Sequence, residues 1–556
     1  MTRCLVVVAL IVMPFVTVIG EQPSQTVPAK TATARIAGRV VAADTGRPLR
    51  GAVLRLVSVD VMRVAKTATT DAEGRYAFAD LRAGRYQLEA SADRYLTLRY
   101  GQRRPVEAGR PIDLLDGTRV EQADFALPRA GAIEGVLLDE FGDPAPNIRV
   151  QIARLEFIAG RRRLLPVGNA NATRPTDDRG HFRIAGVAPG DYYVTALCGA
   201  FVEQNDTGGF APTYYPGTTD AATARPVRVG FGVATVPVTF ALVPARMARV
   251  SGTVMTAGGQ PSGATVLLMH SDQAGTVDSL MARGLAKDGP FTFRNVPPGT
   301  YVIQGFGSSP SGALGQAPFG WVPLVVNERD ITDVSVVVSP GAWARGRIVL
   351  EGDAAPTLTP SDVRITASPI EFDSSPRGGG PPQSATHDDW RFEVGNMSGL
   401  RRLRVDVSAP AWSLKRISLG GHDVTDVPID FRKGDDIDGV EIVLTTRNGS
   451  VTGAVVDRNG QPTSDYNVVI YAADRARWPF PSRFVQLARP NQEGQFTARG
   501  LPPEDYLAVA LPSVRGTEWM DPEFLEKMKP VATPLKLSEG ETKKVSLTLT
   551  NEPPQE

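Results

Sequence analysis

The sequence predicts an all-β chain, a tandem array of about five antiparallel β-sandwiches. Three observations predict it. One pattern recurs in a constant order, its copies lie one small domain apart, and the segments between turns alternate apolar and polar residues. In the first copy the pattern reads Gly38-Arg39-Val40-Val41, Gly46-Arg47-Pro48, Asp71-Ala72-Glu73-Gly74-Arg75-Tyr76 and Leu81-Arg82-Ala83-Gly84-Arg85-Tyr86. It is a glycine-led strand, a Gly-x-Pro turn, an Asx-x-x-Gly hairpin and a Gly-x-Tyr step into another strand.

The second copy runs Gly135-Val136, Gly142-Asp143-Pro144, Asp177-Asp178-Arg179-Gly180 and Gly190-Asp191-Tyr192. The third runs Gly252-Thr253-Val254, Gly259-Gln260-Pro261, Asp288-Gly289 and Gly299-Thr300-Tyr301. The fifth runs Gly453-Ala454-Val455, Gly460-Gln461-Pro462, Asn491-Gln492-Glu493-Gly494 and Glu504-Asp505-Tyr506. The fourth is worn: Gly346-Arg347-Ile348 opens it, Asp389-Trp390 stands for the hairpin, and Gly399-Leu400-Arg401 replaces Gly-x-Tyr. The opening glycines at 38, 135, 252, 346 and 453 are 97, 117, 94 and 107 residues apart. Such steps exceed a solenoid repeat of roughly 20–50 residues and suit a complete domain of about 100.

Each piece has a physical cause. Asx-x-x-Gly places a side-chain acceptor at the start of a turn and glycine where φ must be positive. Gly-x-Pro pre-bends a connection. After Gly-x-Tyr, Tyr86, Leu88 and Ala90 fall on one face and Gln87 and Glu89 on the other, as in a half-buried strand. The same register turns Tyr192, Val194, Ala196 and Cys198 inward, and Tyr506, Ala508 and Ala510. Residues 545–550 alternate likewise and close the fifth copy. Many short strands with Gly/Pro turns point to sandwiches.

The combined pattern Gly-x-Val, Gly-x-Pro, Asp-x-x-Gly-x-Phe and Leu-x-x-Gly-x-Tyr resembles the carboxypeptidase regulatory-like domain, well in copies one, two, three and five and poorly in copy four. The resemblance implies a transthyretin-like, Ig-like seven-stranded sandwich of the type found in secreted bacterial proteins, and it implies a fold rather than an activity. Glu504 departs from the pattern at a glycine position. A turn needing positive φ would be strained there by about 1–2 kcal/mol, so a different turn is expected.

The organisation read from these signals is a signal peptide over 1–20, a linker over 21–34, and sandwiches over 35–130, 131–246, 247–341, 342–449 (divergent) and 450–556. The leader rests on Met1-Thr2-Arg3 followed by an apolar run from Cys4 to Ile19, with Gly20 at the cut. Sixteen residues fall short of the roughly 20 a transmembrane helix needs, so the mature chain is expected to have no span. Cys198 is then the one remaining cysteine, expected as an inert core residue without a disulfide. Asp521-Pro522-Glu523, with Lys527 and Lys529 at the far end, predicts a short helix over 521–529, read as an embellishment of the fifth copy. Residues 374–384, with Gly378-Gly379-Gly380-Pro381-Pro382, predict a flexible insertion.

Composition excludes some function classes. Lys+Arg and Asp+Glu both number 60, so nothing in the charge calls for nucleic acid as a partner. Arg161-Arg162-Arg163 is expected in an exposed loop. A zinc carboxypeptidase needs a Glu three residues after a His; the four histidines, His181, His270, His387 and His422, are followed at that distance by Ile184, Gln273, Trp390 and Thr425. The Ser/Gly/Pro run 307–312 lacks the spacing of a nucleophile elbow. Asp71, Glu73, Asp177 and Asp178 read as turn residues, since a calcium site wants six to eight oxygens. No catalytic residue, cofactor or metal is expected. Residues 131–246 hold no lysine, so that copy cannot form a Lys–Asn cross-link.

Aromatic residues remain as candidates for recognition. Tyr214 and Tyr215 precede Pro216, and Trp478 and Phe480 flank Pro479, in segments expected to be exposed. Flat rings stack on sugars and anchor interfaces; they also pack neighbouring domains together. The expected function is a secreted, non-enzymatic interaction scaffold or binding module at the cell envelope, whether periplasmic, on the surface or extracellular. Its partner is then an envelope or extracellular protein, or a polysaccharide. The alternatives are a carbohydrate-binding protein using those aromatics and, more remotely, an accessory part of a secreted peptidase system.

Overall fold

A computed structural model of the chain describes residues 33–58, 63–102, 109–158, 160–167, 175–197, 208–230, 235–271, 280–307, 318–352, 358–371, 375–376, 383–409, 411–432, 434–491 and 493–550. The expected leader, all but the end of the linker, Cys198 and residues 308–312 lie outside them. Five separate hydrophobic cores follow one another: Ala34–Leu127, Ile133–Leu242, Ala248–Val338, Ala342–Leu444 and Val451–Leu547.

The third sandwich shows the plan most plainly. Pro290–Val296, Ala248–Thr256 and Ile331–Val338 form a three-stranded sheet; Leu280–Ala286, Ala264–His270, Gly299–Gly307 and Phe319–Val326 form a four-stranded one. Pairing is antiparallel except that the first strand runs parallel to the last. That parallel pair recurs in all five sandwiches, and it explains the opening glycine. A Cβ on Gly38, Gly135, Gly252, Gly346 or Gly453 would lie 2.3, 1.7, 2.0, 1.7 or 2.0 Å from a carbonyl oxygen of Ala123, Val238, Val334, Val440 or Val545 on or beside the partner strand. The strands approach there only because a side chain is missing.

The hairpins follow the predicted chemistry. Asp71 Oδ1 accepts from the amides of Glu73 and Arg75, and Asp177 and Asn491 do the same in their copies. Those oxygens are occupied by backbone, as a turn requires. In the fourth copy Trp390 occupies the hairpin glycine position with φ 64°, and its carbonyl accepts from Ile348 N as Gly74 does from Val40 N.

The Gly-x-Tyr step proves to be a tyrosine corner. Tyr86, Tyr192, Tyr301 and Tyr506 each donate their hydroxyl to the carbonyl four residues earlier, at 3.0, 2.6, 2.9 and 2.8 Å. Arg401 takes that place in the fourth copy: it is 3% exposed, and its Nε donates to Ser398 O at 2.8 Å. Burial pushes its guanidinium down to about 10. Glu504 is not among the residues with positive φ, so the extended backbone accepts it and the expected strain does not arise.

The fourth copy is a two-layered sandwich with its strands redistributed. Gln383–Thr386 leaves the layer it would join in the third copy and pairs with Arg391–Met397, and Ser413–Leu419 with His422–Asp423 extends the same sheet to six strands. The opposite layer keeps Val363–Pro369, Leu400–Val407 and Ile429–Asp430. Within the expected insertion, residues 377–382 lie outside the described residues, whereas Gln383–Thr386 is strand.

One expectation fails instructively. Each sandwich was expected to keep one wet face. The first does: Val53 and Arg55 are exposed on its five-stranded sheet. In the second, third and fifth the corresponding face is closed. Leu267, Met269, Phe306 and Phe319 form a second buried cluster on the third sandwich, Ala153, Leu164 and Tyr214 on the second, and Val469, Tyr471, Val509 and Leu511 on the fifth. Their strands read Tyr301-Val302-Ile303 and Tyr506-Leu507-Ala508-Val509, apolar in both registers, unlike Tyr86-Gln87-Leu88-Glu89. A strand apolar on both sides is buried on both sides.

Candidate functional site

Each of those clusters is built from residues of its own sandwich, and the contacts that link one sandwich to the next are polar. Between the second and third, Arg163 Nη1 donates to Ser271 O. Between the third and fourth, the fully buried Gln304 donates Nε2 to Ser375 O at 2.7 Å. Between the fourth and fifth, Arg402 Nη1 donates to Pro481 O at 2.6 Å and to Pro479 O at 3.2 Å, and Arg483 pairs with Asp426 at 3.0 Å. The fifth returns to the second: Arg162 meets Asp521 at 2.7 Å and Glu523 at 2.8 Å. Sandwiches two to five therefore close a ring. The first joins it through Arg110 Nη2 and Ser464 O at 2.9 Å.

The predicted helix forms over Pro522–Met528 with Asp521 as its N-cap, accepting from Glu523 N, and it buries Leu525 and Met528 on the fifth sandwich. It is more than an embellishment, because its capping carboxylate is also the partner of Arg162. The arginine run is no exposed loop either: Arg161–Pro166 is a strand, Arg162 is ion-paired and Arg163 is buried. Triple arginine resembles a solvated loop in sequence, and only the partner domain reveals its purpose.

A cleft of about 770 Å3 lies where the second and fifth sandwiches face each other, lined among others by Arg154, Glu156, Asp191, Arg228, Arg515 and Glu518. Arg154 lies over the Tyr192 ring at 4.7 Å, and Thr517 Oγ1 donates to Glu156 at 3.4 Å. Basic and acidic groups alternate along its walls, so the cleft has no single charge preference.

The predicted aromatic residues do not form an exposed platform. Trp478 is 1% exposed, donates Nε1 to Ala472 O at 2.7 Å, and meets the Tyr471 ring edge-on at 5.5 Å. Tyr214 is 6% exposed on the outer face of the second sandwich. Tyr215 is half-buried, edge-on to Phe240 at 5.9 Å. Phe480 is half-buried, and its Cβ lies 3.9 Å from where a Cβ on Gly160 of the second sandwich would be. Trp478 and Tyr214 thus correct the expectation of exposure: proline next to an aromatic ring marks a rigid turn, and here the turn packs inward. Among the described residues no group of three or more His, Cys, Asp or Glu side chains could hold a metal. The one half-buried histidine, His270, stacks on Tyr301 at 4.6 Å, and burial lowers its imidazole to about 4.

Fold and junctions together define a multidomain β-sandwich protein. Residues 35–127, which span the first sandwich, match the family model of the carboxypeptidase regulatory-like domain. No curated protein matches the chain. Among solved structures, a streptococcal ancillary pilin is similar at 13% identity over 55% of this chain and 99% of its own, with a TM-score of 0.19. The minor pilin GBS52 of Streptococcus agalactiae is 15% identical over 38% and 95%, with a TM-score of 0.21. The shaft pilin SpaA of Lactobacillus rhamnosus GG is 16% identical over 39% and 98%, with a TM-score of 0.18. No helix among the described residues is long and apolar enough to cross a membrane.

Proposed function

We propose that this chain is an exported, non-enzymatic scaffold of the cell envelope that holds β-sandwiches in a fixed arrangement and presents them to a protein partner. The observation that carries the reading is the set of hydrogen bonds from Arg163, Gln304 and Arg402 to backbone carbonyls of a neighbouring sandwich. Carbonyl acceptors demand a fixed backbone, so such contacts favour a rigid assembly over a flexible string. The first sandwich keeps an open outer face of mixed character, with Val53 and Arg55 exposed, and it is the surface we assign to the partner.

The carbohydrate reading loses its support with the burial of Trp478 and Tyr214. The test immobilises the full mature chain, exposes it to an envelope extract, and screens it in parallel on a glycan array. Saturable retention of a protein, reduced by Arg55→Glu on the first sandwich, is expected. Retention of polysaccharide alone, or hydrolysis of a peptide or glycan by homogeneous protein, would overturn the proposal.

A further inference from the structure

Arg402 and Arg404 stand two positions apart on strand Leu400–Val407 and therefore project from one face of the sheet. Arg402 spends Nη1 on the two proline carbonyls, while its Nε is buried with no acceptor. Arg483 reaches the same seam from the fifth sandwich and is committed to Asp426 through Nε and Nη2. Arg404, half-buried beside both arginines, makes no hydrogen bond or ion pair among the described residues. The carboxylates near it are Asp426, already paired, and Asp406, which is exposed. Three guanidiniums thus share one enclosed carboxylate.

Arginine does not relieve this by losing its proton, even though burial and the neighbouring arginines push Arg404 down to about 10. Its five donors need acceptors, and withdrawing a cation from water without them is costly. We propose that Arg402 and Arg404 bind a tetrahedral oxyanion, a phosphate or sulfate group, at the seam between the fourth and fifth sandwiches. Such a group carries the charge that the seam lacks, and its several oxygens match the paired donors of a planar guanidinium. The inference does not rest on the scaffold reading.

The test is calorimetric titration of the full mature chain with inorganic phosphate at constant ionic strength. Saturable binding of one anion per chain is expected, weakened at least tenfold in Arg404→Gln and less in Arg404→Lys. No saturable heat in the unmodified chain, or equal binding by Arg404→Gln, overturns the proposal. If Arg404→Gln fails to fold, arginine Nε–H resonances of the unmodified chain decide: shifts on phosphate addition support the site, and their absence sinks it. Dextran sulfate separates the sources of the group. Retention that falls in Arg404→Lys supports an anion carried on a polymer, and retention unchanged by that substitution, without phosphate binding, overturns the site.

Discussion

Arg162 of the second sandwich grips Asp521, the residue that caps the helix of the fifth, at 2.7 Å. The Asp521 side chain is only 11% exposed, so this pair is shielded more than an ordinary surface bridge. Arg162→Ala should leave every core intact and release the fifth sandwich from the second, at a cost of about 1–2 kcal/mol. Small-angle scattering should then show a larger radius of gyration with unchanged circular dichroism. An unaltered radius would mean that the ring does not depend on this pair.

His270 makes the third sandwich sensitive to acid. Burial holds its folded value near 4 against an ordinary 6.5, so the neutral form is favoured in the fold. The contribution is complete above pH 6.5 and lost as pH falls through 4, amounting to about 3 kcal/mol. His270→Gln should flatten the stability profile between those limits in urea titrations. A profile unchanged by the substitution would show that other groups carry it.

Two glycines should respond very differently to the same added methyl. Gly346→Ala forces a Cβ to within 1.7 Å of Val440 O and should cost about 3 kcal/mol or more. Gly46 has nothing within 4 Å but a φ of 65°, so Gly46→Ala should cost only about 1–2 kcal/mol of backbone strain. Thermal melts of both variants measure the contrast, and equal losses would contradict the close approach of the parallel strands.

Trp478→Ala should destabilise the fifth sandwich by about 3–5 kcal/mol, as expected for removal of a buried indole. Trp478→Phe should be milder, losing the bond to Ala472 O. Near-normal stability in the alanine variant would return Trp478 to the surface and revive it as a ligand contact.

Much of the fold was legible because turn chemistry is local. Asp71 with Gly74, and Asp177 with Gly180, announce their hairpins within four residues, and Tyr86 and Tyr301 announce their corners. The fourth copy was harder because unlike residues do the same job: Trp390 takes a glycine's conformation, and Arg401 satisfies a carbonyl that a tyrosine satisfies elsewhere. The junctions were the least legible. Arg162 and Asp521 are 359 residues apart, and nothing local links them. One signal was present and unread: the apolar outward residues Val302, Leu507 and Val509, where the first copy has Gln87 and Glu89. They reported sheets covered on both sides, and with them the burial of Trp478 and Tyr214.

The grip of Asp521 on Arg162 also bears on how the molecule is made. The segment that completes the circle is synthesised after every other sandwich, so the earlier units emerge with their mating surfaces bare. Until residues 450–550 arrive, Arg162 and Arg402 lack the partners they find there. A nascent chain halted early would therefore carry guanidiniums still waiting for their acceptors, and only the finished molecule satisfies them.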